Sequence, residues 1–158
     1  MSNTYAANIT RLCELAFQAY GRSAYTAVDS ASVLAGFDDE EQVPTPRAVF
    51  NCDSAEPDGP ADDFVFACQL EVQVVSQCDD KTKDEHHDLA SEVFSQFAIG
   101  RDNTCNEINA AALAAGIQFF CQDILPAQQA KTIQDRKWIS SAFYRVICSG
   151  KAGVVSGG

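Results

Sequence analysis

Residues Phe64–Val75, FVFACQLEVQVV, alternate apolar and polar side chains with a period of two, and a run of this length severely limits what the chain can fold into. Phe66, Cys68, Leu70, Val72 and Val74 fall on one face, and Gln69, Glu71 and Gln73 fall on the other. That is the pattern of a half-buried β-strand, because successive side chains of a strand point to opposite sides of a sheet. A polar turn, QCDDKTKDE, leads from it into an amphipathic helix around Asp84–Ala98. Near the C-terminus Trp138–Cys148, WISSAFYRVIC, reads as a second long strand with one apolar and one mixed face. A sheet with one face solvated and helices on the other is the natural home for both.

The rest of the chain supplies shorter elements. Ile9, Leu12, Cys13, Ala16 and Tyr20 recur at helical spacing over Thr4–Tyr20, and Gly21 offers a C-terminal stop. A short strand is expected near Ser32–Phe37 and another at Ala48–Cys52, entered through Pro44 and Pro46. Residues 53–63, DSAEPDGPADD, read as a solvated loop between two strands. Thr82 with Glu85, and Thr104 with Glu107, both fit the capping box, in which Thr and Glu side chains satisfy opposing backbone N–H groups. The first opens a helix with a Leu89, Val93, Phe97 stripe flanked by Ala90 and Phe94; the second opens a small-residue helix ended by Gly116. Ile117–Leu125 is a third candidate strand stopped by Pro126, and AQQAKTIQDRK connects it to the last. The expected fold is a single α+β domain over residues 1–150, a mainly antiparallel sheet of about four strands with two to three helices on one face. The tail 151–158 is read as flexible.

Charge excludes some functions. Acidic residues number 22 against 11 basic, a formal charge of −11, and ten of the acids lie between Asp29 and Asp63 beside one base, Arg47. Binding nucleic acid through its phosphates requires clustered Lys and Arg, which the sequence lacks. The seven cysteines, at 13, 52, 68, 78, 105, 121 and 148, include no C-x-x-C pair. Neither a zinc ribbon nor a disulfide framework is signalled, and Cys68, Cys121 and Cys148 sit in strand patterns as small hydrophobes. Reduced thiols suit the cytosol. MSNTYAANITRLC lacks the charged and apolar regions of a secretory signal, so the sequon at Asn8 is expected to be silent. No apolar run approaches the roughly 20 residues that span a bilayer.

No catalytic, metal or cofactor site is expected. Asp84-Glu85-His86-His87-Asp88 crowds metal-ligand types together, but adjacent helical residues diverge by about 100° and the two-His zincin spacing is absent. The same residues read as an exposed first helical turn, where acids favour the helix dipole. A Cys–His nucleophile would need a thiol at one of these imidazoles, and nothing in the sequence puts Cys78 there. Nucleophile-elbow and phosphate-loop motifs are missing. Trp138, after Arg136 and Lys137, reads as a core or rim residue or as a stacking surface for a partner.

Taken in order, the N-terminal helix, the Pro44/Pro46-marked strand, the long strand running through a polar turn into DEHHDLASEVFSQF, and the Asp135-Arg136-x-Trp138 start of the final strand form a pattern over residues 4–148. The pattern resembles the small tail-terminator and head–tail joining proteins of long-tailed bacteriophages. The resemblance implies a structural virion protein assembled in the host cytoplasm. It implies a ring, usually of six subunits, that ends the tail tube and joins it to the head or neck. Its partners are then copies of itself, the tail tube protein and a neck or connector adaptor, with no membrane. Genomic DNA passes the lumen without specific binding, and acidic walls would keep it from sticking. Candidate interface residues are Asp53, Glu56, Asp58, Asp62 and Asp63 of the acidic region, Asp79, Asp80 and Lys81 of the polar turn, and Asp135, Arg136 and Trp138. The competing reading is a small intracellular protein-binding module without catalytic activity.

Overall fold

The computed structural model describes residues 2–26, 28–29, 32–36, 45–58, 65–79, 81–97, 104–134 and 136–150, with side chains from Ile9 onward except that of residue 134. The elements run α1 (Ser2–Ala24), β1 (Val33–Ala35), β2 (Arg47–Pro57), β3 (Val65–Gln77), α2 (Lys83–Ser95), α3 (Thr104–Ala114), β4 (Phe119–Gln134) and β5 (Lys137–Gly150). Five strands form one sheet in the order β1-β2-β3-β5-β4. β1 is parallel to β2 and every other pairing is antiparallel, so the sheet is mixed and one strand wider than expected. The α+β class stands.

The alternation in β3 does what its period requires. Phe66, Cys68, Leu70, Val72 and Val74 are all buried, whereas Gln69 is exposed and Glu71 and Gln73 are half-buried. Opposite them on β5, Ala142, Tyr144, Val146 and Cys148 turn the same way, since the ladder pairs Val72 with Ala142 and Cys68 with Val146. Helix α1 lays Ile9, Cys13, Ala16, Phe17 and Tyr20 onto this face, α2 adds Leu89, Ala90 and Val93, and α3 adds Ile108 and Ala112. All three helices thus share one core on one side of the sheet.

Four sequence expectations need correction. Gly21 does not stop α1, which continues to Ala24. A Cβ there would stand 3.0–3.1 Å from Tyr25, Phe50 and Val33 side chains, so the glycine lets the helix lie close on the sheet. Residues 53–57 are strand: β2 pairs with β3 as far as Pro57↔Phe66, with a register shift between Cys52 and Ser54 that leaves Asp53 as a bulge. Pro126 does not stop β4. It lies at a second register shift, Pro126/Gln128, on an edge strand where a missing N–H breaks no ladder, and AQQAKTIQ is strand. The connection to β5 is then a tight hairpin, with Gln134 opposite Lys137 and Arg136 at φ 61°. Finally, Thr104 is not a cap but the first residue of α3, and its hydroxyl donates to the Gln96 carbonyl at 2.7 Å.

The remaining punctuation follows the sequence. Thr82 and Glu85 form the full capping box, the Glu85 N–H donating to Thr82 Oγ1 at 3.2 Å and the Thr82 N–H to Glu85 Oε1 at 2.9 Å. Thr82→Ala is expected to lower stability by about 1 kcal/mol, read as a shift of the urea midpoint at constant slope. An unchanged midpoint would mean that α2 does not depend on its cap. Gly116 (φ 76°) ends α3, the Gly116 N–H donating to Leu113 O and the Ile117 N–H to Ala112 O, the two bonds of a Schellman motif. The Thr45–Pro46 peptide at the entry to β2 is cis.

Candidate functional site

The two edges of the sheet differ. On β1, Gln18 donates to the Val33 carbonyl at 3.0 Å and Arg11 to the Ala35 carbonyl at 3.1 Å, so α1 covers that edge. The opposite edge, β4, is 16 residues long. Asn109 clasps it at one point, its amide donating to Cys121 O at 3.1 Å and its carbonyl accepting from the Cys121 N–H at 2.6 Å. Beyond that clasp β4 carries Leu125 at 43% and Ile133 at 63% exposure, with Phe120 at 46% beside it. Phe120 and Leu125 pair with Ser149 and Arg145, which places them on the helix-free face with the half-buried Phe143 and Ile147 of β5. A long edge strand flanked by exposed apolar side chains is the feature that natural sheets otherwise suppress.

The candidate interface residues among those described divide between the two ends of this sheet. Asp53 and Glu56 lie on the far half of β2 and Asp58 directly follows it; Asp53 accepts from the Asn51 amide at 2.6 Å, and Asp58 faces Arg145 at 3.5 Å. Asp79, Lys81, Arg136 and Trp138 meet at the other end, where the β3–α2 turn abuts the β4–β5 hairpin. Arg136 pairs with Asp79 at 2.6 Å, and the Trp138 indole N–H donates to the Lys81 carbonyl at 3.1 Å. Both ion pairs are solvent-exposed and add little stability. Asp62, Asp63, Asp80 and Asp135 lie outside the described residues, as do parts of the acidic 29–63 region and the 151–158 tail.

Trp138 is a rim residue. It walls a groove of about 370 Å³ between α2 and the hairpin, together with Lys83, His86, His87, Lys131, Thr132, Ile133, Ile139 and Ser140. His86 overturns the reading of an exposed histidine pair: it is 3% exposed, and its two ring nitrogens bond Ser76 Oγ and Ser140 Oγ, each at 2.9 Å. Ser76 and Ser140 project from β3 and β5 on the helix side, so the imidazole pins α2 to both long strands. Burial first, then the charges of His87 and Lys131, hold His86 below its ordinary pKa. Sequence reasoning missed this role because a histidine in a cap region looks solvated; only the even-numbered parity of Ser76 and Ser140 hinted at inward hydroxyls.

The core itself gathers thiols that the sequence scatters. The Sγ atoms of Cys13, Cys52 and Cys68 all lie within 4.8 Å of one another, and Cys148 Sγ is 3.5 Å from Cys68 Sγ. Cys105 and Cys121 form a separate pair at 3.3 Å between α3 and β4. Burial raises the Cys13 thiol, whereas hydrogen bonds from Cys13 and Cys68 pull Cys148 down against its own burial.

No protein-family model matches the chain, and no curated protein matches it. Among the described residues no helix is long and apolar enough to cross a membrane.

Proposed function

We propose that the chain is a non-catalytic structural subunit that assembles with copies of itself into a ring, six-membered in the form the sequence pattern implies, at the junction of tail and head in a long-tailed bacteriophage. The observation that carries this reading is the asymmetry of the sheet: one edge is covered by α1, while the other is long and bordered by Phe120, Leu125 and Ile133. Ring closure needs unlike faces to meet head to tail, and among the described residues one edge of the sheet is covered and the other is open, which gives unlike flanks. The residues at the two ends of the sheet then meet the tail tube on one side and the neck adaptor on the other. Acid-rich walls leave DNA free to pass. Tight burial of His86 and of the core thiols supports structural roles for the groups most suited to bond chemistry.

The test is the state of assembly. Sedimentation of the full chain is expected to give a mass several times that of one subunit, with rings visible by electron microscopy. Phe120→Asp combined with Leu125→Asp is expected to reduce this to single subunits with an unchanged circular dichroism spectrum, since both side chains are exposed and charge there costs the fold little. A chain that stays monomeric at the highest reachable concentration, and leaves tail tubes unbound, defeats the proposal and favours the small intracellular binding module.

A further inference from the structure

Cys105 and Asn109 stand one turn apart on α3, and both meet the same residue of the sheet edge, Cys121 of β4. Asn109 takes the backbone of Cys121 through its two amide hydrogen bonds, and Cys105 takes the side chain, with the two Sγ atoms 3.3 Å apart. Cys121 is buried and Cys105 is half-buried, so an approach from solvent meets Cys105 first. The other close pair, Cys68 and Cys148 at 3.5 Å, has no exposed surface on either residue. Beside Cys121 the ladder with β5 shifts register before Asp123, which leaves the edge backbone room to adjust.

We propose that Cys105 and Cys121 are a reversible redox pair, closed to a disulfide by a small disulfide of the glutathione class, and that the bond locks α3 onto the open edge of the sheet. Cys105 is the second residue of α3, in the first turn, where the helix dipole favours a thiolate. The hydrogen bond from Cys121 lowers the Cys105 pKa further, against its partial burial and the charge of Asp123. The Cys105 thiolate attacks one sulfur of the small disulfide, forming a mixed disulfide and expelling the other half as a thiolate. Cys121 gives up its proton, attacks the Cys105 sulfur and expels the second half. The two cysteines thereby lose two electrons, the small disulfide becomes two thiols, and the protons of the cysteines end on those thiols. Closure to a sulfur–sulfur bond of about 2 Å asks for an approach of about 1.3 Å from the open pair. A link between positions 16 apart in sequence stabilises the fold by restricting the unfolded chain. In reducing surroundings the pair stays open and Asn109 holds the edge alone. The pair is independent of ring assembly.

The test is made on the folded, reduced full chain. It is incubated with excess oxidised glutathione, its remaining thiols are alkylated in denaturant, and the digest is read by mass spectrometry. A cross-linked peptide pair carrying Cys105 and Cys121 is expected, with Cys13, Cys52, Cys68 and Cys148 all alkylated, and dithiothreitol should reverse the link. The oxidised chain is expected to unfold at a higher urea midpoint than the reduced one, a rise that Cys105→Ser abolishes. Cys121→Ser is expected to trap one glutathionyl group on Cys105, whereas Cys105→Ser leaves Cys121 open to alkylation. A wild-type chain with native circular dichroism whose Cys105 and Cys121 are both alkylated after oxidation overturns the proposal. So does a link through Cys68 or Cys148 in place of this one, or a closed bond that leaves the urea midpoint where it was. If either serine variant fails to fold, the wild-type cross-link map and midpoint decide by themselves.

Discussion

Replacing Phe17 with alanine is expected to remove about 3–5 kcal/mol of stability, the largest effect of any single truncation in the core. Phe17 is fully buried where α1 crosses the sheet, and its ring meets Phe50 at 5.8 Å, Phe97 at 5.6 Å and Phe119 at 6.4 Å. Those partners come from β2, from the residues after α2, and from β4, so the ring is the point at which separate parts of the fold share one surface. Truncation leaves a cavity bounded by three other aromatics, themselves held by Tyr144 and Tyr20 against Phe97 at 5.3 and 5.9 Å. Such a wall cannot collapse cheaply, which places the cost toward the upper end of the range. A domain of this size has only about 5–15 kcal/mol in total. Urea unfolding followed by circular dichroism should show the midpoint falling steeply with an unchanged slope. A loss below about 1 kcal/mol would mean that the aromatic cluster is not the packed centre of the core.

What was legible in the sequence follows how strongly each residue's environment is one-sided. β3 and β5 have a dry face and a wetter one, so their alternation is written plainly in Phe66–Val74 and Ala142–Cys148. The Thr82–Glu85 cap is local and needs no knowledge of the fold. β4 failed for the opposite reason. Its residues 127–133 are exposed on an edge, so no apolar period marks them, and Pro126 looked like a terminator because its tolerance on an edge depends on topology. β2 was cut short at Cys52 because the bulge at Asp53 breaks the period there, and only pairing with β3 carries the strand on to Pro57. The interface candidates at Asp79, Lys81, Arg136 and Trp138 were named as pieces of two separate segments. Their meeting at one end of the sheet is a product of the β3–β5 ladder, which pairs Gln77 with Lys137. The thiol cluster had no sequence signal at all, since its spacing is set by strand order and not by a local motif.

Loss of His86 is the second large effect expected, and it has a signature in pH. His86→Asn removes a buried ring and strips Ser76 and Ser140 of their shared partner, and leaving buried hydroxyls unpaired costs about 1–3 kcal/mol each. The proton balance supplies the second reading. Burial, with His87 and Lys131, lowers the folded pKa below the unfolded value, which lies near 6.5. Between those two values the unfolded chain holds a proton that the folded chain does not. Stability therefore rises with pH across the window and is lost as pH falls from about 6.5 toward the folded value, by at most about 1.4 kcal/mol per pH unit from this group. Both serine hydroxyls can accept as well as donate, so the penalty for protonation comes from burial and neighbouring charge and not from a broken hydrogen bond. Glu14, whose folded pKa is raised by burial, gains stability on acidification and works in the opposite direction. The measurement is accordingly a difference. Wild type and His86→Asn are unfolded in urea at about pH 7.5 and about pH 5.5, on either side of the free imidazole value, and the wild type should lose more stability between the two. Parallel losses in the two proteins would show that His86 takes up its proton as readily in the fold as outside it, and that the imidazole is not the dry clasp between α2 and the two long strands.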